Sequence, residues 1–331
     1  MDKPANSIDS DLVPVIDLSR FDNPTDRRAI SQEIRSACLS TGFFLVKGHG
    51  IATEVCSTIT AASKRYFALP ERERLNDLID EHFRRGFMPR SAGSRATVES
   101  YELSLDLPLD DPDVVAGYFL HGPNRWPKNH PWLRAATEPY LEAALGLGEK
   151  LQRLFALSLD LEEDFFVKLC KRPTLHMRLF HYFSQTEEER RKHFATGAHT
   201  DLGMLTILMQ DPNGGLELQV RDGEWIQAPY VENAFVINVG DLLELWTNEL
   251  YVSTPHRVVG LTDRDRYSVP VFFSPAFKTV VECLPSCLAP GEVPKFAPLN
   301  TGEYLEARLR SEGTPGHNAY VPIGGHRGRA A

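Results

Sequence analysis

Two side chains that bind transition metals, His199 and Asp201, lie two positions apart in the segment GAHTDLG (197–203). If this segment ends a β-strand, residues i and i+2 share one face, so both side chains point the same way. An isolated H-x-D triplet is weak evidence of a metal site, because most such triplets pair a solvated aspartate with an unrelated histidine. Further ligands must therefore come from elsewhere in the chain.

Three later residues complete a set that suits one kind of chemistry. His256 lies in STPHRVVG, and Arg266 and Ser268 are again two positions apart in RYS. Two histidines and one carboxylate form the facial triad that binds non-haem Fe(II) and leaves other coordination positions open. An arginine with a hydroxyl two residues on can hold a distant carboxylate, because its planar fork binds both oxygens. The set predicts an iron site with an anchor for a chelating dicarboxylate.

The spacing of these residues, together with several longer segments, resembles the iron- and 2-oxoglutarate-dependent oxygenases of the isopenicillin N synthase type. Fifty-four residues (202–255) separate the H-x-D triplet from the second histidine, and nine (257–265) separate that histidine from R-x-S. The matching segments are VIDLSRF, GFFLVKGHGI, RYFALPERER, RRGF, GPNRWP and GGLELQVRDGEWIQAPYVENAFVINVGDLLELWTN. The resemblance therefore covers most of the chain.

This resemblance implies a role for each member of the set. His199, Asp201 and His256 would bind Fe(II), while Arg266 and Ser268 would hold the far carboxylate of 2-oxoglutarate, the co-substrate used with O2. It further implies oxidation, most simply hydroxylation, of an unactivated C–H bond of a small polar molecule, with release of succinate and CO2. The implied fold is a double-stranded β-helix, or jelly roll, with helices packed outside it.

The strand before the iron motif departs from the family pattern. Where the family often has N-x-Y-P, this chain has FHYFS, so Tyr182 matches the tyrosine while Phe180 replaces the asparagine. Tyr182 is thus a candidate for holding 2-oxoglutarate. Counting by two from Tyr182 puts Arg178 on the same face, where a buried guanidinium needs a partner. That partner is either the substrate or 2-oxoglutarate, or else a structural Asp or Glu.

The primary substrate is poorly specified by the sequence. In this family it is selected by residues around the mouth of the barrel, and the candidates here are Arg178, Leu202, Phe273, Arg85 and Phe87, with Arg84 and Arg90 in the same loop. Several cations at a mouth favour an anionic or strongly polar substrate, although loop arginines are about as often simply solvated. Fungal thymine hydroxylases and bacterial ethylene-forming enzymes are similar overall, but both carry an aromatic residue where this chain has Leu202.

Other histidines and acids lack the spacing of metal ligands. Asp241 in NVGDLLELW is expected to cap the short helix that Gly240 and Asp241 open, rather than to bind a metal. His49 is predicted to be a turn histidine, and His181 and His193 are predicted to be structural or solvated.

The pattern of apolar residues divides the chain into a helical first half and a strand-rich second half. Helices are predicted over 27–40, 52–68, 132–158 (broken near Gly146 and Gly148) and 301–311, strands over 13–19, 43–46, 176–183, 204–210, 216–221, 234–239 and 267–274, and a loop over 84–100. PNGG and RDGEW are hairpin signals.

We therefore expect a mainly β protein with surrounding helices. Its predicted parts are a helical N-terminal region (1–172), a jelly-roll core (173–285), and a C-terminal helix and tail (286–331) whose last residues are loose. The three parts are expected to form one compact catalytic unit.

Composition disfavours several other classes of protein. The chain has 331 residues, 42% of them hydrophobic, which is enough for a large core. Its net charge of -9 and the lack of a basic run argue against a nucleic-acid partner. No apolar run approaches the roughly 18 residues of a membrane span, and no secretory signal is recognisable. Five scattered cysteines suit a reducing compartment, so a cytoplasmic location is predicted.

Two alternatives stay open at the level of sequence. A same-fold Fe(II) oxidase, desaturase, cyclase or ethylene-forming-type enzyme of natural-product biosynthesis could carry the same motifs. A non-catalytic jelly-roll binding protein is the alternative from another class, and the intact triad argues against it, because a binding module needs no iron ligands.

Overall fold

The computed structural model describes residues 12–80, 82–90, 97–192 and 194–311. In the first half of the chain, short strands alternate with helices. In order, these are β1 (Val15–Asp17), α1 (Pro24–Ser40), β2 (Phe43–Lys47), α2 (Thr53–Phe67), α3 (Glu71–Arg74), β3 (Gly86–Met88), β4 (Val98–Leu103), α4 (Pro112–Val115), α5 (Pro131–Ser158) and α6 (Phe165–Leu169).

The second half is rich in strands. In order, these elements are β5 (Thr174–Tyr182), α7 (Glu187–Lys192), β6 (Thr196–His199), β7 (Leu205–Gln210), β8 (Leu216–Gln219), β9 (Trp225–Gln227), β10 (Phe235–Val239), α8 (Asp241–Trp246), β11 (His256–Val258), β12 (Arg266–Ser274), β13 (Val280–Val281), β14 (Leu299–Asn300) and α9 (Thr301–Ser311).

Two sheets face each other across an apolar layer. The larger sheet has the order β1-β2-β10-β7-β12-β5-β4-β3, and the smaller has the order β6-β11-β8-β9. Side chains from both sheets, including Leu45, Val236, Leu216 and Leu218, form one buried cluster. Helices α1, α2 and α5 cover the other face of the larger sheet through a second buried cluster. This sandwich of two sheets with helices outside it confirms the predicted jelly roll.

Strand β12 shows how the alternation of side chains separates the two layers. Val269, Val271 and Phe273 belong to the cluster under the helices, so Arg266 and Ser268 point to the opposite face, between the two sheets. The same alternation applies to β5, which pairs with β12 along its length. The space between the sheets, hereafter the interior, therefore receives the polar side chains predicted to bind 2-oxoglutarate.

Three predictions about local structure are wrong. The loop expected over 84–100 contains β3 and the start of β4, which pair with each other, while its residues 91–96 lie outside the described part. Helix α5 is unbroken, and Gly148 is instead a point of close contact, because a Cβ there would lie 2.6 Å from the ring of Phe273. PNGG joins β7 and β8, which belong to different sheets, and so is not a hairpin turn.

Other predictions about the elements are correct. RDGEW does form the turn of a hairpin, in which Gln219 of β8 pairs with Trp225 of β9. By contrast, the region predicted to be helical (1–172) also supplies strands β1 to β4, which join the larger sheet of the core. Within the described ranges, no helix is long and apolar enough to cross a membrane. The tail predicted to be loose (312–331) and His193 lie outside those ranges.

Candidate metal centre and co-substrate site

The structure brings His199, Asp201 and His256 together in the interior. One ligand atom from each of the three residues lies within 4.8 Å of the other two. The Oδ1 atom of Asp201 is 3.9 Å from Nε2 of His199 and 3.6 Å from Nε2 of His256. A cluster of two imidazole nitrogens and one carboxylate oxygen fits the donor set that non-haem Fe(II) prefers.

Strand pairing and backbone hydrogen bonds set the orientation of the two imidazoles. His199 ends β6 and lies directly opposite His256, the first residue of β11. In each ring, Nδ1 bonds a backbone carbonyl two residues earlier, that of Gly197 at 2.9 Å and that of Thr254 at 3.1 Å. This fixes the tautomer, since Nδ1 must carry the proton, and turns the Nε2 lone pair toward the cluster.

The carboxylate of Asp201 is held by neighbours on the larger sheet. Its Oδ2 atom accepts hydrogen bonds from the Thr206 hydroxyl at 2.5 Å and from the Asn238 amide at 2.7 Å. Thr206 and Asn238 face each other on β7 and β10, and both are buried. Because Oδ2 is occupied in this way, Oδ1 is the oxygen presented to the histidines. Such supporting bonds fix a ligand before the metal arrives.

Electrostatics keep His256 and Asp201 in the protonation states that a metal needs. Burial, together with the nearby ring of His199, lowers the pKa of His256 to about 4. Burial alone would raise the pKa of Asp201, but the two histidines and the hydrogen bonds from Thr206 and Asn238 lower it. The site therefore offers a neutral imidazole and an ionised carboxylate at neutral pH.

Asp241 does not cap helix α8 as predicted. The N-terminal cap is Gly240, and no side chain caps this helix. The Asp241 carboxylate instead accepts hydrogen bonds from the hydroxyls of Ser253 at 2.7 Å and Tyr304 at 2.8 Å. Its backbone N–H donates to the carbonyl of Asp201 at 2.8 Å. Asp241 thus supports the backbone of the metal motif and ties it to helix α9.

Arg266, Ser268 and Tyr182 also converge in the interior. Arg266 is the Cα partner of Tyr182 across β12 and β5, and its guanidinium carbon lies 4.9 Å from the centre of the Tyr182 ring. Its Nε donates to the carbonyl of Gly214 at 2.6 Å, and its NH1 donates to the Ser268 hydroxyl at 3.2 Å. The guanidinium is almost fully buried and held on several sides, as an anchor for a carboxylate requires.

Arg178 is paired with a structural acid, one of the two kinds of partner that the sequence left open. Its Nε lies 3.2 Å from Oε1 of Glu102, which is fully buried on the neighbouring strand β4. Glu102 also bonds Nε2 of His176 and accepts from the Ser100 hydroxyl at 3.0 Å. Burial alone would raise the pKa of Glu102, but Arg178 and His176 hold it well below its usual range. Arg178 still keeps 17% of its side chain exposed, so it borders the interior.

Three of the predicted substrate residues do not line the interior. Phe273 and Phe87 are buried in the cluster under the helices. Phe273 packs into the notch at Gly148, and Phe87 contacts the ring of Tyr66. Arg85 is buried, with 1% exposure, and its amino groups donate to backbone carbonyls, including that of Leu120 at 2.5 Å. These three predictions are therefore corrected.

The remaining loop candidates are spread around the molecule. Leu202, which follows Asp201 in the chain, is half-buried and packs against the small apolar cluster of Phe119, Leu120 and Leu309. Arg84 donates to the carbonyl of Leu309 at 3.1 Å, which ties its loop to the same helix. Arg90 is exposed, 5.6 Å from the centre of the Phe183 ring.

The interior contains residues that the sequence did not indicate. Phe272, and not Phe273, shares the face of Arg266, and it lies opposite Thr206 on β7 and His176 on β5. Its ring centre is 5.9 Å from the guanidinium carbon of Arg178. Counting by two from Arg266 would have found it. The roles of Thr206, Asn238 and Glu102 had no local signal.

Two histidines outside the metal cluster are buried and bonded. His49 lies in a turn, where Nε2 bonds the carbonyl of Asn233 at 3.0 Å and Nδ1 accepts from the backbone N–H of Ile51. His181 lies on the opposite face from Tyr182, between Glu99 and Asp265.

Comparisons with known proteins agree with this geometry. The family model of the 2OG-Fe(II) oxygenase superfamily matches residues 173–275, and that of the N-terminal region of non-haem dioxygenases in morphine synthesis matches residues 13–129. The 2-oxoglutarate-Fe(II) type oxidoreductase hxnY of Emericella nidulans is 35% identical over 321 residues, covering 90% of this chain and 91% of the relative. Kihadalactone A synthase LFS of Citrus sinensis is 30% identical, covering 92% and 95%.

Solved structures give the same result. A full-length Neurospora crassa protein in complex with alpha-KG and thymine superimposes with a TM-score of 0.81 at 26% identity, covering 92% of this chain and 98% of that one. A putative 2OG-Fe(II) oxygenase family protein from Caulobacter crescentus gives a TM-score of 0.80 at 25% identity, covering 90% and 98%. From its relatives, its fold and its cluster of donors, this chain belongs to the 2OG-Fe(II) oxygenase superfamily and is a non-haem Fe(II)- and 2-oxoglutarate-dependent oxygenase.

Proposed function

We propose that this oxygenase hydroxylates an unactivated C–H bond of a small polar molecule and releases succinate and CO2. The observation that carries the proposal is the convergence of His199, Asp201 and His256, one ligand atom from each lying within 4.8 Å of the others. In this proposal the three residues bind Fe(II) through Nε2, Oδ1 and Nε2. When bound, the iron supplies a centre at which 2-oxoglutarate and O2 react and the substrate is oxidised.

The anchor for 2-oxoglutarate is proposed to be Arg266, with Ser268 and Tyr182 beside it. A carboxylate that meets a guanidinium gains charge-assisted hydrogen bonds, which are stronger still where water is excluded. Arg266 is only 2% exposed, and its bonds to Gly214 and Ser268 hold its plane before the ligand arrives. Little side-chain entropy is therefore lost on binding, which favours affinity.

The substrate is proposed to lie between the metal cluster and Arg178. Half-buried side chains on this face of the larger sheet include Phe180, Phe272 and Met88, and half-buried Leu202 follows the metal ligand Asp201. These residues offer apolar contacts, and Arg178, fixed by Glu102, offers hydrogen-bond donors to a polar or anionic group of the substrate. The complexes of the Neurospora crassa protein contain thymine or 5-formyluracil, which supports a small molecule as the substrate. A cytoplasmic location stays a prediction.

The first test uses the protein loaded with Fe(II) and 2-oxoglutarate under anaerobic conditions. A weak visible charge-transfer band is expected when 2-oxoglutarate chelates the iron. Asp201→Ala should remove the band, whereas Asp222→Ala, which removes an exposed carboxylate in the β8–β9 turn, should keep it. If the wild-type protein shows no band, or if Asp201→Ala retains it, the proposed site is wrong.

The second test concerns the substrate. Succinate formation should be screened over amino acids, nucleobases and small natural products, with and without each compound. If a compound stimulates succinate release, Arg178→Leu should raise the KM for that compound about tenfold or more. Arg172→Leu makes the same change at an exposed arginine before β5 and should not. Unchanged KM values for both the substrate and 2-oxoglutarate in Arg178→Leu would remove this role for Arg178.

A further inference from the structure

A buried histidine backs the strand ends that carry Tyr182 and Arg266. His181 precedes Tyr182 on β5, Tyr267 follows Arg266 on β12, and the two residues of each strand are paired across the ladder in register. The rings of His181 and Tyr267 are stacked, with centres 4.8 Å apart and planes 9° apart. A change in the spacing of this outer pair therefore changes the spacing of Tyr182 and Arg266 in the interior.

Both ring nitrogens of His181 meet carboxylates. Nδ1 lies 2.8 Å from Oε1 of Glu99 on β4, and Nε2 lies 2.9 Å from Oδ2 of Asp265, the residue before β12. An ionised carboxylate only accepts hydrogen bonds, and a neutral imidazole has a single N–H to donate. Both contacts are thus satisfied together only when His181 is an imidazolium. Its two bonds then join three strands, β4, β5 and β12.

The groups around His181 suit a cation at this position. Arg74 of α3 pairs with Glu99, which leaves the carboxylate of Asp265 for the imidazolium to balance. Burial alone would raise the pKa of Asp265, but hydrogen bonds from His181 and Ser184 lower it.

The other groups packed against the ring do not compete for this charge. Burial and the nearby carboxylates raise the pKa of Tyr267 to about 12, so its hydroxyl is neutral. Phe67 and Phe183 contribute uncharged rings. Lys64 of α2 is exposed, 5.4 Å from the centre of the Tyr267 ring.

We propose that the His181 imidazolium is a positioning residue for 2-oxoglutarate, because it fixes the distance between the strand ends that carry Tyr182 and Arg266. This role rests on the proposed function of those two residues. When the bond from Nε2 of His181 is lost, Asp265, adjacent to Arg266, loosens from β5. The affinity for 2-oxoglutarate therefore falls, whereas turnover at saturating 2-oxoglutarate changes less.

The test is the dissociation constant of 2-oxoglutarate for the anaerobic Fe(II) protein, read from the charge-transfer band at one fixed pH. His181→Gln cannot donate to both carboxylates as the imidazolium does, so it should bind 2-oxoglutarate about tenfold more weakly than the wild type, as for the loss of one charge-assisted hydrogen bond.

Two further variants make the result specific. Asp265→Ala removes the same contact from its other side, so it should weaken 2-oxoglutarate binding by a similar factor. His49→Gln is the matched control, because His49 is buried at another turn and its ring nitrogens bond backbone groups. It should keep the wild-type affinity. In steady-state assays, His181→Gln and Asp265→Ala should change the KM for 2-oxoglutarate more than the kcat of uncoupled succinate release.

The outcomes separate this role from the function it rests on. If the wild-type band is present and a folded His181→Gln binds 2-oxoglutarate as tightly as the wild type, the role of His181 is refuted while the oxygenase site stands. An equal effect on KM and kcat refutes it as well. If His181→Gln does not fold, Asp265→Ala decides, and wild-type affinity in that variant is the refuting result. No band in the wild type overturns the proposed site and this role together.

Discussion

Removing the hydroxyl of Thr206 tests whether the larger sheet prepares Asp201 for a metal. Thr206→Val keeps the shape of the side chain and deletes one of the two donors to Oδ2, that at 2.5 Å, while Asn238 remains at 2.7 Å. A hydrogen bond to a charged acceptor contributes about 1.5–3 kcal/mol. Loss of such a supporting bond should weaken Fe(II) binding by about 10- to 100-fold.

The assay is a competition between the protein and a chelator for Fe(II), performed without O2 and at fixed pH. The metal-free variant should also lose about 1–3 kcal/mol of unfolding free energy in urea, because Asp201 stays buried with fewer donors. Thr137→Val is the matched control, since Thr137 is equally buried but donates to the carbonyl of Leu133 within α5. It should leave Fe(II) affinity unchanged. Wild-type Fe(II) affinity in Thr206→Val would refute the reasoning.

Arg266→Leu should raise the KM for 2-oxoglutarate about 100-fold with an unchanged circular dichroism spectrum; an unchanged KM contradicts its role as the anchor. Burial raises the pKa of Glu244 to about 8, so the folded protein keeps this proton while the unfolded chain has lost it. The free energy of unfolding should therefore fall as pH rises from about 4.5 to about 8, by up to about 1.4 kcal/mol per pH unit. Urea titrations should show a shallower fall for Glu244→Gln than for the wild type, and the same pH dependence in both would contradict a raised pKa for Glu244. Gly148→Ala puts a Cβ 2.6 Å from the ring of Phe273 and should cost about 1–3 kcal/mol. Gly146→Ala, with open space around it, should be neutral or stabilising by up to about 1 kcal/mol, and similar melting temperatures for the two variants would exclude the close contact.

The sequence specified the metal donors better than their surroundings. Arg266 and Ser268 are an i, i+2 pair within β12, and such a pair shares one face of its strand. His199 ends β6 and Asp201 lies just beyond it, so these two donors meet without the strand alternation that the sequence suggested. Thr206 and Asn238 carry no comparable signal, because they reach Asp201 only through the pairing of β7 with β10. Glu102 reaches Arg178 across 76 positions of chain in the same way. Long-range pairing decides which polar residues meet, and no local pattern encodes it.

The errors about substrate residues have a common physical origin. The sequence makes Phe87 and Phe273 candidates for the mouth of the barrel, yet each lies on the face of its strand that packs under the helices. A shift of one position moves a side chain from one face to the other, which is why Phe272 is the residue in the interior. Arg85 shows a different limit, because neither its charge nor its neighbours in the sequence indicate that it is buried against backbone carbonyls.

The order of strands in the larger sheet bears on how the protein folds during synthesis. Strand β2 (Phe43–Lys47) is complete long before its partner β10 (Phe235–Val239) leaves the ribosome. Until then one long edge of β2 has no partner, and such edges favour aggregation. Contacts this distant in sequence also slow folding. A fragment limited to residues 173–275 would lack β2 and β4, exposing the edges of β10 and β5, so we expect the shortened chain to be insoluble when expressed alone.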